Sequence, residues 1–361
     1  MFRISSFCPR TLAPFLAQIT ASITLFLLAS SPARSEDNRE RHLIRVAVVR
    51  EASALDRTIQ SVCKSNYGGN VRVLKSEDGK YTAINTLDVE DYLEGVVGRE
   101  MSASWPVEAL KAQAVAARSH ALYSSEQSLN AQYDLVANIS QAYRGRDERD
   151  ARVIGAVRAT RGQVLTYKGN LIPAYFHMSC GGRTAAFEEV WPKPVTKNGP
   201  ELELPGSVVC EACLRHPLPW IADLGREANN TATKPLAAKI GRLVRIEVLG
   251  RTPSGRASQL RLVGTSGEMV TSVEKLRALV GYNTMRSGYF EVENTPAGVI
   301  FRGSGWGHGV GLCQAGAKEM AERGANYREI LAHYFPGAQL APYHPSLAAV
   351  SAQLTKFGSA E

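Results

Sequence analysis

Residues 88–122 read DVEDYLEGVVGREMSASWPVEALKAQAVAARSHAL, and two consecutive helices can be read from that stretch. Asp88 stands where an N-cap belongs, with a short carboxylate able to accept from the first free amides of a helix. Leu93, Val96, Val97 and Met101 then share one face at helical spacing. A second helix is predicted from Trp105-Pro106, where a first-turn proline costs nothing because its missing N–H would have no partner there. It continues to about Leu122. Its alanines let a neighbour approach closely, so this helix is expected to be buried.

Glu100 is out of place on the first helix. It lies four residues after Val96 and three after Val97, and so projects from the apolar stripe. A carboxylate where a leucine would pack must find a partner or raise its pKa, because desolvation disfavours its charge. A raised pKa suits a general acid near neutral pH. The competing reading ends the helix at Glu100 and pairs it with Arg99, Arg118 or solvent.

Outward from these helices the pattern is mixed. Ile44, Val46 and Val48 alternate as an early strand, and Val71–Leu74 with Tyr81–Ile84 form a hairpin around Glu77-Asp78-Gly79. Downstream, 150–160 reads as a short helix and Gln163–Tyr167 with Leu171–Phe176 as a hairpin turning at Lys168-Gly169. Two strands flank Pro253-Ser254-Gly255, and 272–280 is a short helix. Strand Val299–Phe301 precedes helices near 312–323 and 327–334. The expected class is α+β, mixed strands packed around one or two central buried helices, with a β-rich insertion at about 240–295. Internal repeats are absent, which excludes a solenoid.

The first residues set the expected compartment. Arg3 and Arg10 precede the apolar run Leu16–Ala29, and Ala33-Arg34-Ser35 offers a small-x-small exit. That is the layout of a secretory signal peptide over 1–35. The run falls short of the ~20 residues a spanning helix needs, which weighs against an uncleaved anchor. The body is therefore expected to be exported, to the periplasm or cell envelope, with a disordered Ala/Ser-rich tail over 346–361. Without Arg3, Arg10 and Arg34 it carries 39 basic against 34 acidic side chains, an excess of +5. The charges are dispersed, and no basic stripe with interleaved aromatics points to nucleic acid.

Five cysteines remain in that body: Cys63, Cys180, Cys210, Cys213 and Cys313. Cys210-x-x-Cys213, with Cys180 and His177, is compatible with a structural zinc site, and a disulfide fits an exported protein equally well. Glycine fills five of the ten positions from Arg302 to Gly311 (RGSGWGHGVG). Its spacing matches neither nucleotide fingerprint, and Lys-Ser/Thr is missing at its end. Trp306 offers a flat apolar face and His308 a polar tip; a tight structural turn explains the glycines as well as a binding loop does.

Taken in order, several segments resemble the SpoIID/LytB family of bacterial cell-wall proteins. They are Tyr92–Met101 (YLEGVVGREM), Trp105–Arg118 (WPVEALKAQAVAAR), Gln141–Gly145 (QAYRG), Ser179–Thr184 (SCGGRT) with Glu189-Val190-Trp191, and Gly305–Ala317 (GWGHGVGLCQAGA). The resemblance spans about residues 85–340, within a catalytic domain expected over 36–345. It implies a peptidoglycan lytic transglycosylase with Glu100 as the single general acid/base and no required cofactor. It also implies that Tyr143, Ser179, Trp306 and His308 line the glycan cleft. The LytB branch implies an alternative, a non-catalytic glycan-binding partner that enhances a cell-wall amidase. Ser102 follows Met101 where family members often carry proline, Ser119-His120 replaces Thr-Tyr, and Ala315 stands where an aromatic is common.

Overall fold

The computed structural model describes residues 41–345, apart from 65, 129, 131, 146–149, 192–203 and 225–233. The signal peptide expected over 1–35 and the tail over 346–361 lie outside the described residues. The fold is α+β.

The chain opens with β1 (Leu43–Ala52), α1 (Leu55–Lys64), β2 (Asn70–Lys75) and β3 (Tyr81–Asp88). β3 lies between β2 and β1, antiparallel to both. Asp88 ends β3 and caps α2 (Val89–Glu100), its Oδ1 accepting from the Glu90 N–H at 2.9 Å. One residue thus turns the sheet into the helix. α3 (Val107–Gln127) follows and is buried along most of its length, Ala109, Ala112, Ala114, Ala116 and Ala117 all being fully enclosed. Small side chains let other helices approach it from several sides.

β4 (Leu135–Val136) adds a short parallel edge to β1. α4 (Ala151–Ala159), β5 (Gln163–Tyr167) and β6 (Asn170–Leu171) come next. The β5–β6 turn places Lys168 and Gly169 at φ 49° and 80°, the double positive φ of a tight hairpin turn. β7 (Phe176–His177), α5 (Phe187–Val190) and α6 (Glu211–Arg215) lead out of the first core.

The chain then builds a second buried cluster, drawn from Trp220 to Phe301. Its elements are β8 (Pro219–Asp223), α7 (Lys234–Ile240), β9 (Leu243–Arg251), β10 (Ala257–Gly264), β11 (Gly267–Ser272), α8 (Val273–Val280), β12 (Phe290–Thr295) and β13 (Gly298–Ser304). β9, β10 and β11 form one meander, while β13 pairs with both β12 and β8. This β-rich unit therefore begins at β8, earlier than 240, because Trp220 packs beneath Gly303.

After the glycine loop, β14 (Leu312–Cys313) runs parallel to β7, returning the chain to the first core. α9 (Gln314–Glu322), α10 (Tyr327–Tyr334) and β15 (Gln339–Pro342) close it, with α2, α4, α9 and α10 packed on α3. Among the described residues no helix is long and apolar enough to cross a membrane.

Gly95 fixes where α2 meets the 142–145 loop. A β-carbon there would strike the Gly145 carbonyl oxygen and come within 2.9 Å of Tyr143 Cε2. Gly95→Ala improves helix propensity by about 1 kcal/mol but overpacks this contact at about 1–3 kcal/mol. The expected net result is a lower melting temperature, measurable by differential scanning calorimetry, together with displacement of the loop.

Candidate active site

Glu100 is the last residue of α2, and the chain turns extended at Met101, whose N–H still reaches the Val97 carbonyl at 2.9 Å. The Glu100 side chain is only partly exposed. Its Oε1 accepts from the Ala142 N–H at 2.7 Å, and its Oε2 faces the Gln314 Nε2 at 3.5 Å. Gln314, the buried first residue of α9, also donates to Gln113 Oε1 of α3 at 3.4 Å. Two neutral donors, from the 142–145 loop and from α9, thus hold one carboxyl, and α3 braces the second of them.

The cations considered for Glu100 are not its partners. Arg118 is committed to Glu90, with Nε and Nη2 each 2.8 Å from a carboxylate oxygen. Among the described residues Glu100 has no ion pair. Burial pushes its carboxyl above the ordinary value of 4.5, and the hydrogen bonds from Ala142 and Gln314 only partly oppose that. The C-terminal end of a helix is also an unfavourable place for an anion. The arrangement is a carboxyl poised to hold a proton and to give it up.

A cavity of about 480 Å³ is bordered by Trp105, Ser179, His216, Leu218, Ala315 and Glu319 among others, and Glu100 itself does not line it. Trp105 and Ala315 are chain neighbours of the Glu100 turn and of Gln314. Of the four residues expected to line a glycan cleft, Trp306 alone presents a substantially open face, 37% exposed with the Arg286 guanidinium 4.6 Å from its ring. Ser179 borders the cavity, but its side chain is buried and its hydroxyl lies 3.3 Å from the Cys213 sulfur.

Tyr143 requires a correction. It is 1% exposed and donates its hydroxyl to Asn85 Oδ1 at 2.8 Å, so it belongs to the core. Its contribution to the site is indirect: it packs against Gly95 and anchors the loop that presents the Ala142 N–H. His308 is half-buried, accepting from the Val310 N–H at 3.0 Å and packing on Trp191 and His177. Burial, with its cationic and histidine neighbours, holds it well below the usual imidazole range and therefore neutral. Its ring braces the glycine loop.

Behind the cavity lie four cysteines. The sulfurs of Cys180, Cys210, Cys213 and Cys313 all fall within 4.8 Å of one another, and all four residues are buried. Cys313 takes the place anticipated for His177, whose Nδ1 is 3.1 Å from the Val310 carbonyl oxygen. The reason is the parallel β7–β14 pairing, which sets Cys313 beside His177 in register and delivers its sulfur to the nest. The Cys63 side chain lies outside the described residues.

Sequence reasoning missed Gln314, Gln113 and the Ala142 N–H. Gln113 carried a usable signal, a lone amide within a run of alanines on a helix expected to be buried. Gln314 had a similar one, as the polar residue between Cys313 and Ala315.

Residues 77–167 match the family described as Stage II sporulation protein, SpoIID, and residues 220–311 match a domain of unknown function, DUF8618. An uncharacterized protein of Brachyspira hyodysenteriae is 34% identical over 263 residues, 72% of this chain and 68% of that protein. The amidase enhancer of Bacillus subtilis is 32% identical over 290 residues, 70% of this chain but 40% of the enhancer. Stage II sporulation protein D of Bacillus amyloliquefaciens is 27% identical over 282 residues, 72% and 75% of the two chains. The chain belongs to the SpoIID/LytB family. The SpoIID match contains α2, α3 and Glu100 but stops short of the cysteine nest. The second match begins at β8 and ends in the glycine loop, so it covers nearly all of the second core.

Proposed function

We propose that this protein acts at the bacterial cell wall as a peptidoglycan lytic transglycosylase, with Glu100 as its only general acid/base. The observation that carries the reading is a half-enclosed carboxyl held by neutral donors, with no second acid among the described residues shifting its titration. Glycosidases that use water need a second carboxyl, either as nucleophile or as the base that activates water. One carboxyl suffices when the nucleophile is the substrate's own hydroxyl. Protonated Glu100 gives its proton to the oxygen linking N-acetylmuramic acid to N-acetylglucosamine, and that bond breaks. The resulting carboxylate, held by Ala142 and Gln314, accepts the proton of the muramic 6-hydroxyl as its oxygen closes on C1. The product ends in 1,6-anhydromuramic acid, and Glu100 is reprotonated for another turn. Trp306 offers its face to a sugar ring, and the segment over 1–35 directs export.

A second reading has its own support in the amidase enhancer of Bacillus subtilis. In that role the cleft holds glycan and presents it to an amidase without cutting it. One experiment separates the two. The purified chain is incubated with intact and with peptide-stripped glycans, alone and with a cell-wall amidase, and products are read by mass spectrometry. Anhydromuramic ends formed without amidase are expected. A folded protein that binds glycan, forms no such ends and accelerates peptide release by the amidase overturns the enzyme reading for the enhancer.

A further inference from the structure

Burial of Arg256 raises a question of charge. It sits at the start of the turn into β10, in the second unit, yet reaches into the first, 3% exposed. Its Nη2 donates to the Cys180 carbonyl at 2.7 Å and its Nη1 to the Arg183 carbonyl at 3.0 Å, while its Nε has no partner. Glu189, a carboxylate whose charge reaches Arg256, spends Oε1 on the Ala186 N–H and Oε2 on the Ser254 N–H, each at 3.0 Å. Among the described residues the Arg256 guanidinium donates only to carbonyls and has no bonded counter-ion, a costly arrangement unless an anion lies close by.

The anion on offer is the cysteine nest, provided that its sulfurs are thiolates. Four neutral thiols, or two disulfides, carry no charge. Four thiolates around one divalent ion carry two negative charges in excess of the metal. Tetrahedral zinc with Zn–S near about 2.3 Å sets sulfurs roughly 3.8 Å apart. The Cys213 and Cys313 sulfurs are 3.5 Å apart, and the whole set lies within 4.8 Å. The surroundings suit metal-bound sulfur as well. The Gly182 N–H is 3.4 Å from Cys180 Sγ, the Tyr334 hydroxyl 3.2 Å from Cys210 Sγ, and the Ser179 hydroxyl 3.3 Å from Cys213 Sγ. Such hydrogen bonds orient and stabilise thiolate ligands.

We propose that Cys180, Cys210, Cys213 and Cys313 bind one zinc ion as a structural tetrathiolate, and that Arg256 is the cation that balances it. Binding displaces the four thiol protons to solvent. The glycine loop makes the arrangement possible: at Gly309, φ 89°, a β-carbon would collide with the Arg256 guanidinium. The ion ties the loop after β7, helix α6 and strand β14 together, and its charge draws in the second unit through Arg256. Because Cys313 directly precedes Gln314, the site also fixes the amide that faces Glu100; only this last consequence rests on the glycan-cleavage reading.

The test needs no glycan. The full chain, purified under reducing conditions after growth with zinc, should contain one zinc per chain by elemental analysis. Replacing zinc with Co²⁺ should give sulfur-to-cobalt charge-transfer absorption and tetrahedral d–d bands of the intensity that four thiolates produce. Arg256→Met should weaken zinc binding by about 10–100-fold in chelator competition, and Arg256→Lys should recover most of it. Gly309→Ala, which displaces the guanidinium, should weaken binding in the same direction and serves if Arg256→Met does not fold. A chain that takes up no Zn²⁺ or Co²⁺ even on reduced reconstitution, or whose four cysteines map as disulfides, overturns the metal site. Wild-type affinity in both Arg256→Met and Gly309→Ala overturns the role of Arg256. A protein that binds zinc and cuts no glycan leaves this inference standing and removes only the transglycosylase.

Discussion

Glu100→Gln is expected to abolish anhydromuramic product while leaving the protein as stable as the wild type, or more so, at neutral pH. Loss of a general acid removes about 10²–10⁴-fold in rate. Here the same group serves both halves of the reaction, so the upper end is expected. The stability side follows from the raised pKa of Glu100. A carboxyl whose folded pKa lies above its unfolded value binds its proton more tightly in the native state. Native stability then falls as pH rises from the unfolded toward the folded pKa, and the cost persists above both. Glutamine keeps the carbonyl that accepts from Ala142 and carries no charge at any pH. The melting temperature of Glu100→Gln should therefore match or exceed that of the wild type at pH 7, with the difference closing as pH falls below the ordinary carboxylate value of 4.5. Activity of the wild type should decline as pH rises through the folded pKa, because the protonated form begins the reaction. Rates across pH, read by mass spectrometry, and paired calorimetric melts check both halves. A variant that loses activity because it unfolds at neutral pH would contradict the assignment.

The pairing of these two effects, stability gained where activity is lost, is what distinguishes a functional carboxyl from a structural one. Sequence spacing alone placed Glu100 on an apolar face, but the outcome of that placement depended on groups far along the chain. Gln314 stands 214 residues away and Ala142 stands 42 away. Local features were legible for local reasons. Asp88 caps α2, Pro106 opens α3, and Lys168-Gly169 turns a hairpin, each decided within a few residues. The cysteine nest was half legible. Cys210 and Cys213 share a helical turn and Cys180 lies nearby in sequence, but Cys313 joins them only through the two-residue pairing of β14 with β7. No periodicity reports a pairing across 136 residues. Tyr143 was misplaced for a different reason. An amphipathic side chain in a polar loop reads alike whether its tip meets solvent or, as for Tyr143, a buried Asn85. α1 escaped notice because its apolar residues are few and set among polar ones.

Arg118→Met is expected to be the most destabilising single change in the first core. Arg118 is fully buried in the middle of α3, and its guanidinium meets the Glu90 carboxylate of α2 through two bonds of 2.8 Å. It also donates to the Gln163 carbonyl at 3.1 Å and the Val157 carbonyl at 3.3 Å, so one side chain joins α2, α3, α4 and β5. Methionine fills a similar volume but leaves Glu90 buried and without its cation, with only the Gly162 N–H at 3.1 Å still donating to it. Breaking one side of a buried pair costs about 3–5 kcal/mol. At roughly 2–4 °C per kcal/mol for a chain of this size, the melting temperature should fall by about 10 °C. Removing both charges, as Glu90→Gln with Arg118→Met, should recover a large part of the loss, since the pair's own attraction largely offsets its desolvation. The double-mutant cycle, melted by calorimetry at pH 7, measures this directly. Additive losses would mean that the two side chains act separately, and α2 would then owe its placement, and Glu100 its position, to apolar packing alone.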